Sequence, residues 1–166
     1  MVVDLIEFLK DSFTDAESNL IIKKDNEMLQ EALYVPVEST ILINEILMKE
    51  SANENHIDIK EYASIIYLHE VGHVLDPDLN DIDTQMTKAL KNIYDNGFNE
   101  RLFNKYAFNS YSAEENAWEI ARNLINDDFL ENFLKIKKES LNLHKNILKS
   151  EKELLKLDNR TSLIFQ

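Results

Sequence analysis

A chain of 166 residues, 44% hydrophobic and 30% charged, is long enough to bury one core and reads as a single domain spanning 1–166. Its 31 acidic residues against 18 basic ones give a formal charge of −13, which removes general attraction to a phosphate backbone, so nucleic acid is not expected as a partner. No cysteine is present, which excludes disulfides and thiolate metal sites and leaves His, Asp and Glu to hold any metal.

The N-terminal stretch MVVDLIEFLKDSF carries Asp4 and Glu7 and no basic region ahead of a long apolar run. No later stretch reaches the roughly 18 apolar residues of a membrane span, so a soluble, cytoplasmic protein without membrane contact is expected. Strand-like density of Val, Ile, Tyr and Thr follows in NLIIKK (19–24) and ALYVPVESTILIN (32–44). Pro36 lacks an amide hydrogen and confines its neighbourhood to an edge or a bend. From about residue 58 the pattern turns helical. Strands early and helices late make the chain α+β, with a small N-terminal β-sheet and a helix-rich C-terminal half.

IDIKEYASIIYLHEVGHVLDP opens with Asp58 as N-cap and Glu61 as its box partner, with Ile57 and Tyr62 at staple positions. Pro77 pushes Asp76 out of helical geometry and stops the helix. Within it, HEVGH places His69 and His73 at i and i+4, on one face, where both can reach one ion. Glu70, one residue round from His69, falls beside that ion without ligating it and can take a proton from water. With this chain's His and Glu frequencies the pattern arises by chance in roughly one such chain in 100. Gly72 permits close backbone packing at the same spot.

A zinc hydrolase needs a third protein ligand and one position left for water. Leu79 stands six residues past His73, so a third histidine there is excluded. Asp76 and Asp78, at or past the helix end, are fallback ligands or supporting groups. DPDLNDID fails as a calcium loop, because Asp81 and Thr87 stand where glycine and glutamate are required. The remaining source is SYSAEENAWEIARNLI (110–125), where Ser112 as N-cap with Glu115 at N3 makes a capping box and starts a helix. Glu114 shares its face with Ala117, Trp118, Ala121 and Ile125 and so points inward; Glu115 shares its face with Glu119, Arg122 and Asn126. A carboxylate on an apolar face needs a partner or a metal. Glu114 is therefore the preferred third ligand, with Glu115 the alternative.

Phe129, Phe133, Ile136, Leu143, Ile147, Leu154 and Leu157 keep a 3–4 spacing that predicts one long amphipathic helix over about 129–157, interrupted in pattern by Ser140 and Ser150. Packing of this stripe onto the chain's own core is favoured over pairing with a second copy or a partner protein. His144 on this helix and His56 in SANENHID read as surface residues.

His69, Glu70 and His73, followed some forty residues on by a glutamate on a second helix, resemble the gluzincin arrangement. EENAWEIA is similar to the E-x-x-A-x-x-x-A signature of several gluzincin families, and the general shape resembles the small ImmA/IrrE-type metallopeptidases that regulate phage and stress repressors. HEVGHVLD with SAEENAWEIA also resembles the catalytic domain of anthrax lethal factor. The resemblance covers about residues 58–126 and implies a zincin-like fold and a zinc-dependent endopeptidase. One zinc ion per chain would sit on His69, His73 and Glu114, with Glu70 as general base and a protein or peptide as substrate. Similar enzymes place an oxyanion-stabilising tyrosine just upstream of the third ligand, where this chain has Tyr106 and Tyr111. It departs from the pattern in having Trp118, rather than Asp, four residues after Glu114; Glu119 and Asp76 are the candidates to support the histidines instead. The competing expectation is a catalytically silent module of the same fold that acts by binding a partner protein.

Overall fold

The structure is a computed structural model and describes residues 4–13 and 20–164. Residues 1–3 of the N-terminal stretch and Asn19, the first residue of NLIIKK, lie outside the described residues. Among the described residues the chain is α+β and mostly helical, with three strands and six α-helices. It divides into two compact units, each made of two segments: residues 1–75 with 117–134, and residues 76–116 with 135–166.

In the first unit, α1 (Leu5–Ser12) starts at Asp4, whose carboxylate accepts the Glu7 amide at 3.1 Å. Its buried Leu5 and Leu9 lie four apart on one face. Strands β1 (Ile21–Lys24), β2 (Ala32–Val35) and β3 (Thr40–Ile43) form a sheet of order β1-β3-β2, β1 running parallel to β3 and β2 antiparallel to it. β2 is therefore an edge strand. A short 3-10 turn over Pro36–Glu38 carries it into β3, which agrees with the limit that Pro36 sets. Helix α2 (Glu45–Asn55) is capped by Asn44, whose side chain accepts the Ile46 and Leu47 amides. Glu45, buried in its first turn, accepts the Leu5 amide at 3.1 Å and Lys24 Nζ at 2.6 Å, tying α1, β1 and α2 together.

Helix α3 (Ile59–Leu75) is the centre of this unit, buried on every side from Tyr62 to Gly72 and packed on α1, α2 and β2. Such burial needs an all-round apolar helix rather than an amphipathic one. Asp58 accepts the Lys60 and Glu61 amides as its cap, and the helix stops at Leu75, before Pro77. Residues 117–134 complete the core with Trp118, Ala121, Ile125 and Phe133, all buried.

In the second unit, α4 (Leu79–Asn96) closes on Gly97, whose amide bonds the Ile93 carbonyl at 2.8 Å with φ of 88°, a conformation that favours glycine. Helix α5 (Glu100–Arg122) contributes its residues up to Asn116 and helix α6 (Leu130–Ile164) its residues from Lys135. Ala89, Ile93, Phe103, Tyr106 and Leu148 form this unit's core. No helix among the described residues is long and apolar enough to cross a membrane.

Two sequence expectations change here. Helix α5 starts at Asn99, whose side chain accepts the Leu102 amide at 3.1 Å, and runs unbroken past Ser112. Ser112 is therefore mid-helix and the capping box with Glu115 does not exist. The stripe expected to pack inward along α6 is buried at Phe133 and Ile136, but Leu143, Ile147, Leu154 and Leu157 are exposed. The inward side of α6 in the second unit is carried instead by Leu141 and Leu148, together with polar residues: His144 bonds Ser110 at 2.9 Å, Glu151 accepts from Tyr106 at 3.1 Å and Lys152 pairs with Glu100.

Candidate metal centre

His69 and His73 share a face of α3 near its C-terminal end, with ring centroids 4.8 Å apart. Glu114 stands on α5, and one ligand atom from each of His69, His73 and Glu114 falls within 4.8 Å of the others. His69 is 8% exposed, while His73 and Glu114 are half-buried. Glu115 is exposed and is not in this group, as the face analysis of the two glutamates expects.

Two contacts in the first unit set the spacing of the helices that carry these residues. Gly72 faces the Ala117 main chain so closely that a Cβ at position 72 would lie 2.1 Å from the Ala117 carbonyl oxygen. Only glycine fits there, and a larger residue has to push α5 away from α3. One residue further on, Trp118 stacks flat on His69, with centroids 4.2 Å apart and an interplanar angle of 11°, and meets Phe133 edge-on at 5.4 Å. Trp118 is fully buried. Trp118 thus fixes the plane of the His69 ring by stacking.

Glu70 is 7% exposed, and its two oxygens have different surroundings. Oε2 accepts the Tyr34 main-chain amide of β2 at 2.7 Å, and Oε1 lies 3.6 Å from His69 Nδ1. Asp76, also buried, accepts the Asp78 amide at 2.9 Å and the Asn116 side-chain amide at 3.2 Å, so it anchors the turn after α3 to the stretch of α5 beside Glu114. Glu119 is exposed.

The two tyrosines lie in the second unit. Tyr106 is in its core, and its hydroxyl donates to Glu151. Burial, reinforced by the Glu151 carboxylate, pushes that hydroxyl up to about 12. Tyr111 is half-buried, three residues before Glu114, with Lys145 Nζ 4.7 Å from its ring centroid. His144, read from sequence as a surface residue, bonds Ser110 one turn before Glu114. His56 caps α2 in a left-handed conformation and is exposed.

Sequence periodicity had no means of finding the Tyr34 amide or the Trp118 stack, since both depend on which elements meet. Pro36 gave the one available signal by marking its neighbourhood as a sheet edge. No family model, curated protein or solved structure matches the chain.

Proposed function

We propose that the chain is a zincin-like, zinc-dependent endopeptidase in which His69, His73 and Glu114 hold one zinc ion and Glu70 is the general base. The observation that carries this reading is the convergence of two imidazoles and one carboxylate next to a second, buried carboxylate. Two His and one Glu suit zinc as a donor set and leave a position for water. Zinc, when bound, lowers the pKa of a coordinated water toward neutrality and polarises a carbonyl.

The residues of the chain divide the remaining work. Glu70 accepts the proton of the attacking water and hands it to the leaving amine. Trp118 keeps solvent from one face of the His69 ring and holds its orientation, a supporting role of the kind that ligands require. β2, whose Tyr34 amide holds Glu70, is an edge strand of the sheet. Tyr111 is the tyrosine we assign to the oxyanion, because the Tyr106 hydroxyl already serves Glu151.

The test is elemental analysis of the purified protein beside Glu114→Ala, Glu115→Ala and Glu70→Gln, with peptide hydrolysis assayed in parallel. About one zinc per chain is expected in the wild type, in Glu115→Ala and in Glu70→Gln, and a marked loss in Glu114→Ala. Glu70→Gln should lose at least about 100-fold in hydrolysis while keeping its metal. A wild type that takes up no stoichiometric zinc overturns the reading.

A second reading, a silent module of the same fold that binds a partner protein, draws on the exposed Leu143, Ile147, Leu154 and Leu157 of α6. Under it, Glu70→Gln keeps its full biological effect.

A further inference from the structure

We propose that the main-chain amide of Tyr34 is the positioning group for Glu70, holding the candidate base by Oε2 and leaving Oε1 to exchange the proton. The inference rests on the peptidase reading above. Register fixes where this amide points. The Glu31 carbonyl accepts the Asn44 amide at 2.8 Å, and Leu33 and Val35 stand opposite Leu42 and Thr40, so 31, 33 and 35 form the hydrogen-bonded pairs with β3. Tyr34, between them, turns its N–H to the outer edge of the sheet. The next position of the same parity is Pro36, which has no N–H to give. Tyr34 is thus the last backbone donor along this edge of β2.

At 2.7 Å the bond from Tyr34 to Glu70 is shorter than the usual 2.9–3.0 Å of a neutral amide bond. A carboxylate as buried as Glu70 is costly without such a donor. A helix backbone by itself does not fix the χ angles of a glutamate it carries. The sheet does, because the amide belongs to a strand locked to β3 on its other side. The aim of the base is therefore set by the edge of the sheet, and a general base has to be in reach of its proton before its basicity counts. The side chain of Tyr34 plays no part in this contact; a substitution that keeps the N–H differs from proline, which removes it.

The first measurement is amide hydrogen exchange by NMR on wild type and Glu70→Ala. The Tyr34 amide is expected to exchange at least about tenfold faster in Glu70→Ala, with the Leu33 and Val35 amides unchanged. Equal Tyr34 exchange in the two proteins overturns the contact. The second measurement compares Tyr34→Pro with Tyr34→Ala, both loaded with zinc and assayed for metal content and peptide hydrolysis. Proline at an outward edge position spares the ladder to β3, so equal zinc content is expected, with kcat for Tyr34→Pro at least about tenfold below that of Tyr34→Ala and KM within about threefold. Equal kcat for the two overturns the positioning role, and if Tyr34→Pro does not fold, the exchange comparison decides. No hydrolysis by the zinc-loaded wild type overturns the peptidase reading and the purpose of the clamp together. Hydrolysis by the wild type with Tyr34 exchange unchanged in Glu70→Ala overturns the clamp alone.

Discussion

Tyr106 shows how a single side chain changes meaning between sequence and structure. As a letter it is an aromatic residue upstream of Glu114; in the fold it is a core residue whose hydroxyl is spent on Glu151. That engagement has a titration signature. The hydroxyl is pushed up to about 12, while a tyrosine in an unfolded chain ionises near 10. Between those values the unfolded chain has released a proton that the folded one retains, so folding stability falls as pH rises from about 10 to about 12. Tyr106→Phe should lessen that decline, leaving the part due to the buried Tyr67, whose hydroxyl burial also pushes up, and urea titrations at about pH 9 and about pH 11 would reveal it. The residues with purely local logic, His69, Glu70 and His73, were legible because i,i+4 geometry needs only a helix. Glu114 was legible from its apolar face, although the helix start expected at Ser112, with its capping box to Glu115, is not there. Trp118 was legible as part of that inward apolar face, but its flat stacking on His69 was not, because that requires knowing that α3 and α5 meet at Gly72.

Among the elements, those with strong signals at both ends were readable. Helix α3 had Asp58 and Pro77, and β2 had Pro36 to limit it. Helices α1 and α2 were passed over even though Asp4 and Asn44 stand at their starts, because the first is short and the second has a weak apolar face. The long α6 was predicted as a helix, but its inward side was misjudged for a physical reason. Hydrophobic spacing treats His144 and Glu151 as wet positions, whereas each finds a hydroxyl on α5 to bond. Polar residues with specific partners can form a packed face, and periodicity is blind to them. The assignment is open to a direct comparison by urea denaturation. Leu148→Ala, in the core of the second unit, should cost about 2–3 kcal/mol, and Leu143→Ala, 61% exposed, less than about 0.5 kcal/mol.

For the molecule as a whole, the order of strand-like and helical segments along the chain gave the α+β class and the helix-rich C-terminal half. It gave no hint that each compact unit would be assembled from two separated stretches of chain. Linker composition is the usual sign of a division, and a chain with only two glycines and two prolines has none to show. The arrangement makes cutting the chain informative. A fragment of residues 1–116 lacks Trp118 and Phe133, the two largest fully buried side chains among the described residues. At about 3–5 kcal/mol for the loss of each, against a total stability of about 5–15 kcal/mol, that fragment should show no cooperative thermal transition by circular dichroism.

The stacking of His69 on Trp118 also imposes an order in time. The ribosome makes HEVGH well before it reaches EENAWEIA, and at roughly 5–20 residues per second the gap is on the order of seconds. Throughout that interval the nascent chain has two histidines and a glutamate in the right order but neither the indole that holds the first ring flat nor the carboxylate of the candidate ligand set. On the peptidase reading, an interrupted or half-made copy carries no hydrolytic centre, and the chain becomes able to cut only once most of it has been synthesised and packed.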